Sequence, residues 1–65
     1  MSIGENLKRL REEQDMTQMT LAERVCVSQP MIAQLERGTK TMTVPLALAI
    51  AQALSCTVSD LIGVQ

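Results

Sequence analysis

The chain has 65 residues, 46% of them hydrophobic and 20% charged, with six Lys/Arg against seven Asp/Glu and a net charge of −1. That length allows one small domain over residues 1–65, burying about 60% of the surface that its unfolded chain exposes. His, Phe, Tyr and Trp are all missing, which removes the commonest general base and metal ligand and any aromatic platform for stacking single-stranded bases.

In chain order the sequence reads as five short helices. Ser2 followed three residues on by Glu5 has the spacing of a capping box, and Ile3, Leu7 and Leu10 then fall on one face of a first helix. Asp15 and Met16 interrupt it. Thr17 caps a second helix whose inward stripe is Leu21, Ala22 and Val25. Ser28 caps a third, with Pro30 in its first turn, Ile32 and Leu35 inward, and Gly38 closing it. Only Val25-Cys26-Val27 separates these two helices, too short a link for them to lie antiparallel. After the polar loop Thr39-Lys40-Thr41-Met42, Thr43 caps a fourth helix running to about Leu54. Thr57 and Asp60 form a second capping box for a last helix through Leu61 and Ile62. No strand alternation and no internal repeat is present.

Cys26 and Cys56 lack the paired spacing and the additional ligands of a zinc site, so no metal and no cofactor is expected. They read as free thiols acting as small core hydrophobes in a reducing compartment. Met1-Ser2-Ile3-Gly4-Glu5-Asn6 has no leader pattern. The longest uncharged apolar run, Val44 to Ala51, falls well short of the roughly 20 residues of a membrane span. A cytoplasmic protein without a membrane partner is the expectation. No nucleophile–base pair, phosphate-cradling glycine loop or metal cluster suggests an enzyme.

The ordered set Ile3-Gly4, Leu7-x-x-Leu10-Arg11, Met16-Thr17-Gln18, Leu21-Ala22, Val27-Ser28, Ile32, Leu35-Glu36-Arg37-Gly38 and Ile50-Ala51-x-Ala53-Leu54 resembles the phage-repressor-like (Cro/Xre-type) helix-turn-helix DNA-binding family. The resemblance extends from Ile3 to Gly63. It implies an all-α, compact five-helix, lambda-repressor-like domain with the helix-turn-helix at helices two and three. It further implies a prokaryotic or phage-encoded regulator, a repressor in the first instance, binding a double-stranded DNA operator as a homodimer. Two positions depart from the family pattern. Cys26 and Ser55 stand where glycine commonly ends helices two and four, and Pro30 stands where a polar base-reading residue is frequent.

In such a domain the N-terminal residues of the third helix face base edges. Its outward positions are Gln29, Pro30, Ala33 and Gln34, with Arg37 further along. The Gln amides match the donor–acceptor edge of adenine, while Pro30 and Ala33 offer apolar contact to a thymine methyl. Gln18, in the first turn of helix two, and Ser28 are expected at phosphates, where free helix N–H groups favour an anion. Arg37, Thr39, Lys40 and Thr41 form a second phosphate anchor just beyond the recognition helix. The same resemblance implies that Arg11 and Glu36 pair, tying helix one to helix three. Because the total charge is acidic, DNA binding requires Arg37 and Lys40 to share a side that Glu12, Glu13, Glu23 and Asp60 mostly avoid.

Helix four carries more apolar surface than one core needs. Val44, Ala47, Leu48, Ala51 and Leu54 suffice as its inward stripe. Leu46, Ala49 and Ala53, extended by Leu61, Ile62 and Val64, are then left as a homodimer surface. Two other readings use the same fold: an antitoxin that binds its own operator and a toxin, and a protein-interaction module that has lost DNA contact.

Overall fold

The structure, a computed structural model, describes residues 2–63. Five α-helices follow one another: α1 (Ile3–Glu13), α2 (Gln18–Arg24), α3 (Gln29–Arg37), α4 (Val44–Ala53) and α5 (Val58–Ile62). No strand occurs among the described residues.

Each helix starts where a hydroxyl can stand in for a missing carbonyl. Ser2, Thr17, Ser28, Thr43 and Thr57 all adopt extended backbone and accept the backbone N–H three residues later. At α1 and α5 the carboxylates of Glu5 and Asp60 return the bond to the cap N–H, completing both expected capping boxes.

Helix ends are equally regular, but only partly through glycine. Gly38 and Gly63 lie at φ 81°, while Asp15, Cys26 and Ser55 take the same left-handed conformation at φ 54°, 60° and 54°. In each of the latter three the following N–H returns to a carbonyl of the last turn: Met16 to Arg11 at 3.1 Å, Val27 to Ala22 at 3.0 Å, Cys56 to Ala51 at 2.9 Å. Cys26 and Ser55 therefore keep the glycine geometry at a strain of about 1 kcal/mol each. The side chain of Gln14 adds a tie from the end of α1 to the carbonyl of Leu54.

Leu7, Leu21, Ile32, Ile50, Leu54 and Leu61 are wholly buried, and Leu10, Met16, Ala22, Leu35 and Ala47 complete the core. α1 packs against α3 and α5, and α2 against α3 and α4. One glycine permits the α1–α3 approach. A Cβ on Gly4 would collide with the carbonyl oxygens of Leu35 and Glu36. Asn6, which the apolar pattern of α1 does not mark, is buried beside Gly63, and its side-chain amide has no hydrogen-bond partner among the described residues. Ile3, expected inward, is 41% exposed.

The rotation of α4 corrects the expectation for its faces. Val44 and Leu48, expected in the core, are 73% and 51% exposed, and Ile50 is buried in their stead. Leu46 and Ala53, assigned to a dimer surface, are half-buried against the core, and Ala49 is half-buried too. Leu61, assigned to the same surface, belongs to the core and offers a second copy nothing to touch. Val64 lies outside the described residues. The reason is that α4 is apolar almost all round, so its periodicity does not select an inner face. Gln52 does: it is exposed, and Leu48 is one turn before it on the same side.

Cys26 is exposed, contrary to the reading of both thiols as core residues, because its left-handed position puts it at the tip of the α2–α3 turn. Cys56 is half-buried against the core, and that burial raises its thiol pKa. No described helix is long and apolar enough to cross a membrane.

Candidate nucleic-acid interface

The α2–α3 unit is assembled from local rules. Thr17 fixes the start of α2. The left-handed Cys26 reverses the chain within three residues, and Ser28 fixes the start of α3 by accepting from Met31 N at 3.3 Å. Leu21, Ala22, Ile32 and Leu35 then lock the two helices together through the core. What α3 turns outward is its first turn and one flank. Pro30 is exposed, and Gln29, Ala33 and Gln34 are half-exposed.

The polar side chains here are connected rather than independent. Arg11 holds Glu36 by two bonds, Nε to Oε2 at 2.6 Å and Nη2 to Oε1 at 3.2 Å, and its Nη1 donates to the Met16 carbonyl at 2.6 Å. Side-chain exposures of 9% and 4% place this ion pair inside the protein. The bond to Glu36 raises the Arg11 pKa further above its ordinary value. The expected pairing is thus present, bidentate and largely dry. Such a pair orients its two helices more than it stabilises them.

Two of the expected DNA-contacting residues join the same network. Gln18 Nε2 donates to Glu36 Oε1 at 3.0 Å, and Gln29 Nε2 donates to Gln18 Oε1 at 2.7 Å. The sequence places Gln18 and Gln29 on different helices and marks no link between them. The signal lies in chemistry rather than spacing: a buried carboxylate with one Arg partner has acceptor capacity left over, and Gln18 is the nearby donor.

Beyond α3, Thr39 folds its N–H and hydroxyl onto the Gln34 carbonyl at 3.0 and 3.3 Å. Arg37, Thr39, Lys40 and Thr41 are all exposed and contiguous at this end. Neither Arg37 nor Lys40 enters a salt bridge among the described residues. The sequence candidates therefore divide into two groups. Gln18, Ser28 and Gln29 gather at the start of α3, and Arg37 to Thr41 gather at its end. Among the described residues no cluster of side chains is suited to hold a metal ion.

The chain resembles several known proteins along nearly all of its length. It is 33% identical to the immunity repressor protein of Bacillus phage phi105 over 63 residues, 97% of this chain and 44% of that one. It is also 33% identical to the antitoxin PezA of Streptococcus pneumoniae over 61 residues, 94% of this chain and 39% of that one. The chain thus spans less than half the length of these two curated relatives. Among solved structures, the P22 c2 repressor protein in complex with a synthetic operator superposes with a TM-score of 0.92 at 28% identity, covering 100% of this chain and 98% of that one. The fold is that of the lambda/434-repressor-like DNA-binding domains. The sequence profile of the helix-turn-helix family matches residues 7–61, from Leu7 in α1 to Leu61 in α5, and the chain belongs to that family.

Proposed function

We propose that this chain is the DNA-binding unit of a sequence-specific transcription regulator, a repressor that occludes its operator. α3 enters the major groove, with Gln29, Pro30, Ala33 and Gln34 at base edges. Gln18 and Ser28 at one end, and Arg37, Thr39, Lys40 and Thr41 at the other, meet the phosphates that flank the groove. The observation that carries the reading is the arrangement of α3: its first turn is exposed and held by the Arg11–Glu36–Gln18–Gln29 network, on a fold that superposes over its full length on a repressor solved with its operator. The protein acts in the cytoplasm on nucleoid DNA, by binding rather than catalysis.

A homodimer on a two-fold-related operator fits this reading. The exposed Val44 and Leu48 of α4 and Ile62 of α5 are among the apolar groups available for it. The likeness to an antitoxin supports a second reading, in which the same domain binds its own operator and its protein also meets a toxin.

Selection of bound sequences from a randomised duplex library tests the proposal. The expected product is a motif with two related half-sites. Its affinity should fall steeply with salt, log K against log [salt] having a slope of about −3 per protomer for three or four phosphate contacts. An unenriched library, or binding indifferent to salt, refutes it.

A further inference from the structure

The seam between α1 and α5 contains a mismatch. On the α5 side, Leu61 is wholly buried and is the one described residue that this helix gives to the core. On the α1 side, Asn6 is 1% exposed, and neither its Nδ2 nor its Oδ1 finds a hydrogen-bond partner among the described residues. The end of α5 closes directly over that amide: a Cβ added at Gly63 would stand 2.9 Å from Asn6 Nδ2. Seating α5 therefore does two opposed things. Taking Leu61 out of water favours the seated helix by about ten- to a hundred-fold. Shutting an amide away from water without replacement bonds disfavours it by a similar factor, about ten-fold or more. The balance is close.

The other four helices are held together without this seam. Gln14, just after α1, donates its Nε2 to the Leu54 carbonyl and so joins α1 to the end of α4 before α5 begins. The Cys56 N–H returns to the Ala51 carbonyl at 2.9 Å, which closes α4 whether or not α5 is seated. Arg11 and Gly4 hold α1 to α3. At five residues, α5 is itself too short to persist as a helix once it leaves its seat.

We propose that α5 is a strap that opens on its own, hinged at Cys56 and Thr57, while α1 to α4 stay folded, and that Asn6 sets how readily it opens. Opening returns the Asn6 amide to water and bares Leu61 together with an apolar edge of the core that the closed form hides. Such a partial opening is a cooperative unit smaller than the whole domain. An apolar side chain of the same shape at position 6 holds the strap shut, and a side chain at position 63 pushes it off.

Hydrogen exchange of the full chain, followed by NMR, tests this. The Leu61 N–H, bonded to the Thr57 carbonyl at 3.2 Å, reports the strap, and the Leu54 N–H, bonded to the Ile50 carbonyl at 2.9 Å, reports the body. In the native chain the protection factor of Leu61 should be at least about ten-fold below that of Leu54. Low urea should reduce protection at Leu54 and leave Leu61 nearly unchanged, because a small opening exposes little surface. N6L should raise protection at Leu61 by about ten-fold. G63A, strained at φ 81° and in collision with Asn6, should lower it by about ten-fold or more and leave Leu54 the better protected of the two. Equal protection at Leu54 and Leu61 in the native chain, with the same response to urea, overturns the inference. So does unchanged or lower protection at Leu61 in N6L, which would make Asn6 a residue that holds the strap down. Should G63A fail to fold, the native chain and N6L decide between these outcomes.

Discussion

Gln29 on α3 donates its side-chain amide to Gln18 on α2 over 2.7 Å, and Gln18 in turn donates to Glu36 at the far end of α3. The two ends of α3 are thus joined through a residue that is not on it. Whatever disturbs Glu36 reaches the exposed first turn of α3, about two turns away along the helix.

Glu36→Ala should therefore weaken folding and DNA binding together. It leaves Arg11 charged and largely buried without its partner, a change that costs about 3 kcal/mol. For a domain of this size that loss lowers the melting temperature by more than 10 °C, at about 4–8 °C per kcal/mol. Urea melts followed by circular dichroism check the stability, and duplex titration checks the binding. Unchanged melting alongside lost binding would show that the pair serves only the DNA.

Acidification should loosen the start of α1. The bonds from Ser2 lower the Glu5 pKa below its ordinary 4.5. A carboxylate whose folded pKa is depressed stabilises the fold above its unfolded pKa, and that contribution is lost as pH falls through the folded value. The titration of Glu5, followed by NMR, should have its midpoint below 4.5 in the native chain and return towards 4.5 in Ser2→Ala. Identical midpoints would mean that the Ser2 hydroxyl contributes nothing to the shift and that the backbone N–H, which alanine keeps, carries it.

The outer face of α4 should separate stability from assembly. Leu48→Lys alters an exposed site and should change the unfolding free energy by no more than about 0.5 kcal/mol, whereas Ile50→Ala opens a core cavity at a cost of about 2–5 kcal/mol. If copies meet through α4, sedimentation should show Leu48→Lys as the weaker self-associator. A large loss of stability in Leu48→Lys would instead place that side chain in the core.

Cys26→Gly should stabilise the turn between α2 and α3. At φ 60° a side chain costs about 1 kcal/mol that glycine does not, offset in part by the greater freedom of glycine in the unfolded chain. Cys26→Ala should give no such gain, and a matched pair of denaturant melts distinguishes the two.

The parts of the fold that obey local rules are legible in the sequence. Ser2, Thr17, Ser28, Thr43 and Thr57 announce every helix start because a hydroxyl at an N-cap acts on its own next turn. The rotation of α4 is not legible in the same way. Any face of Val44–Ala53 can pack, and neighbours on other helices decide which one does. Asn6 and Gly4 are opaque for a related reason, since their burial depends on α5 and α3, elements more than twenty residues away in sequence. At the candidate site, the residues Gln18, Gln29, Arg11 and Glu36 are each identifiable from type and motif. That they form one chain of bonds is a property of three helices meeting, which spacing along any one of them does not encode.

Gly4 has a mechanical consequence. The carbonyls of Leu35 and Glu36 close the last turn of α3 against its bare Cα, and the Arg11–Glu36 bond grips the same turn from the side. α3 is then a beam clamped at its base and tied near its outward tip by the Gln18–Gln29 bond. A beam so held has little freedom to forfeit when its tip is seated in a groove, because the cost of immobilising it was met during folding. Lengthening the side chain at position 4 by even one carbon would lift the base and swing the tip. Under the proposed function, a residue far from the groove thereby governs where the outward end of α3 points.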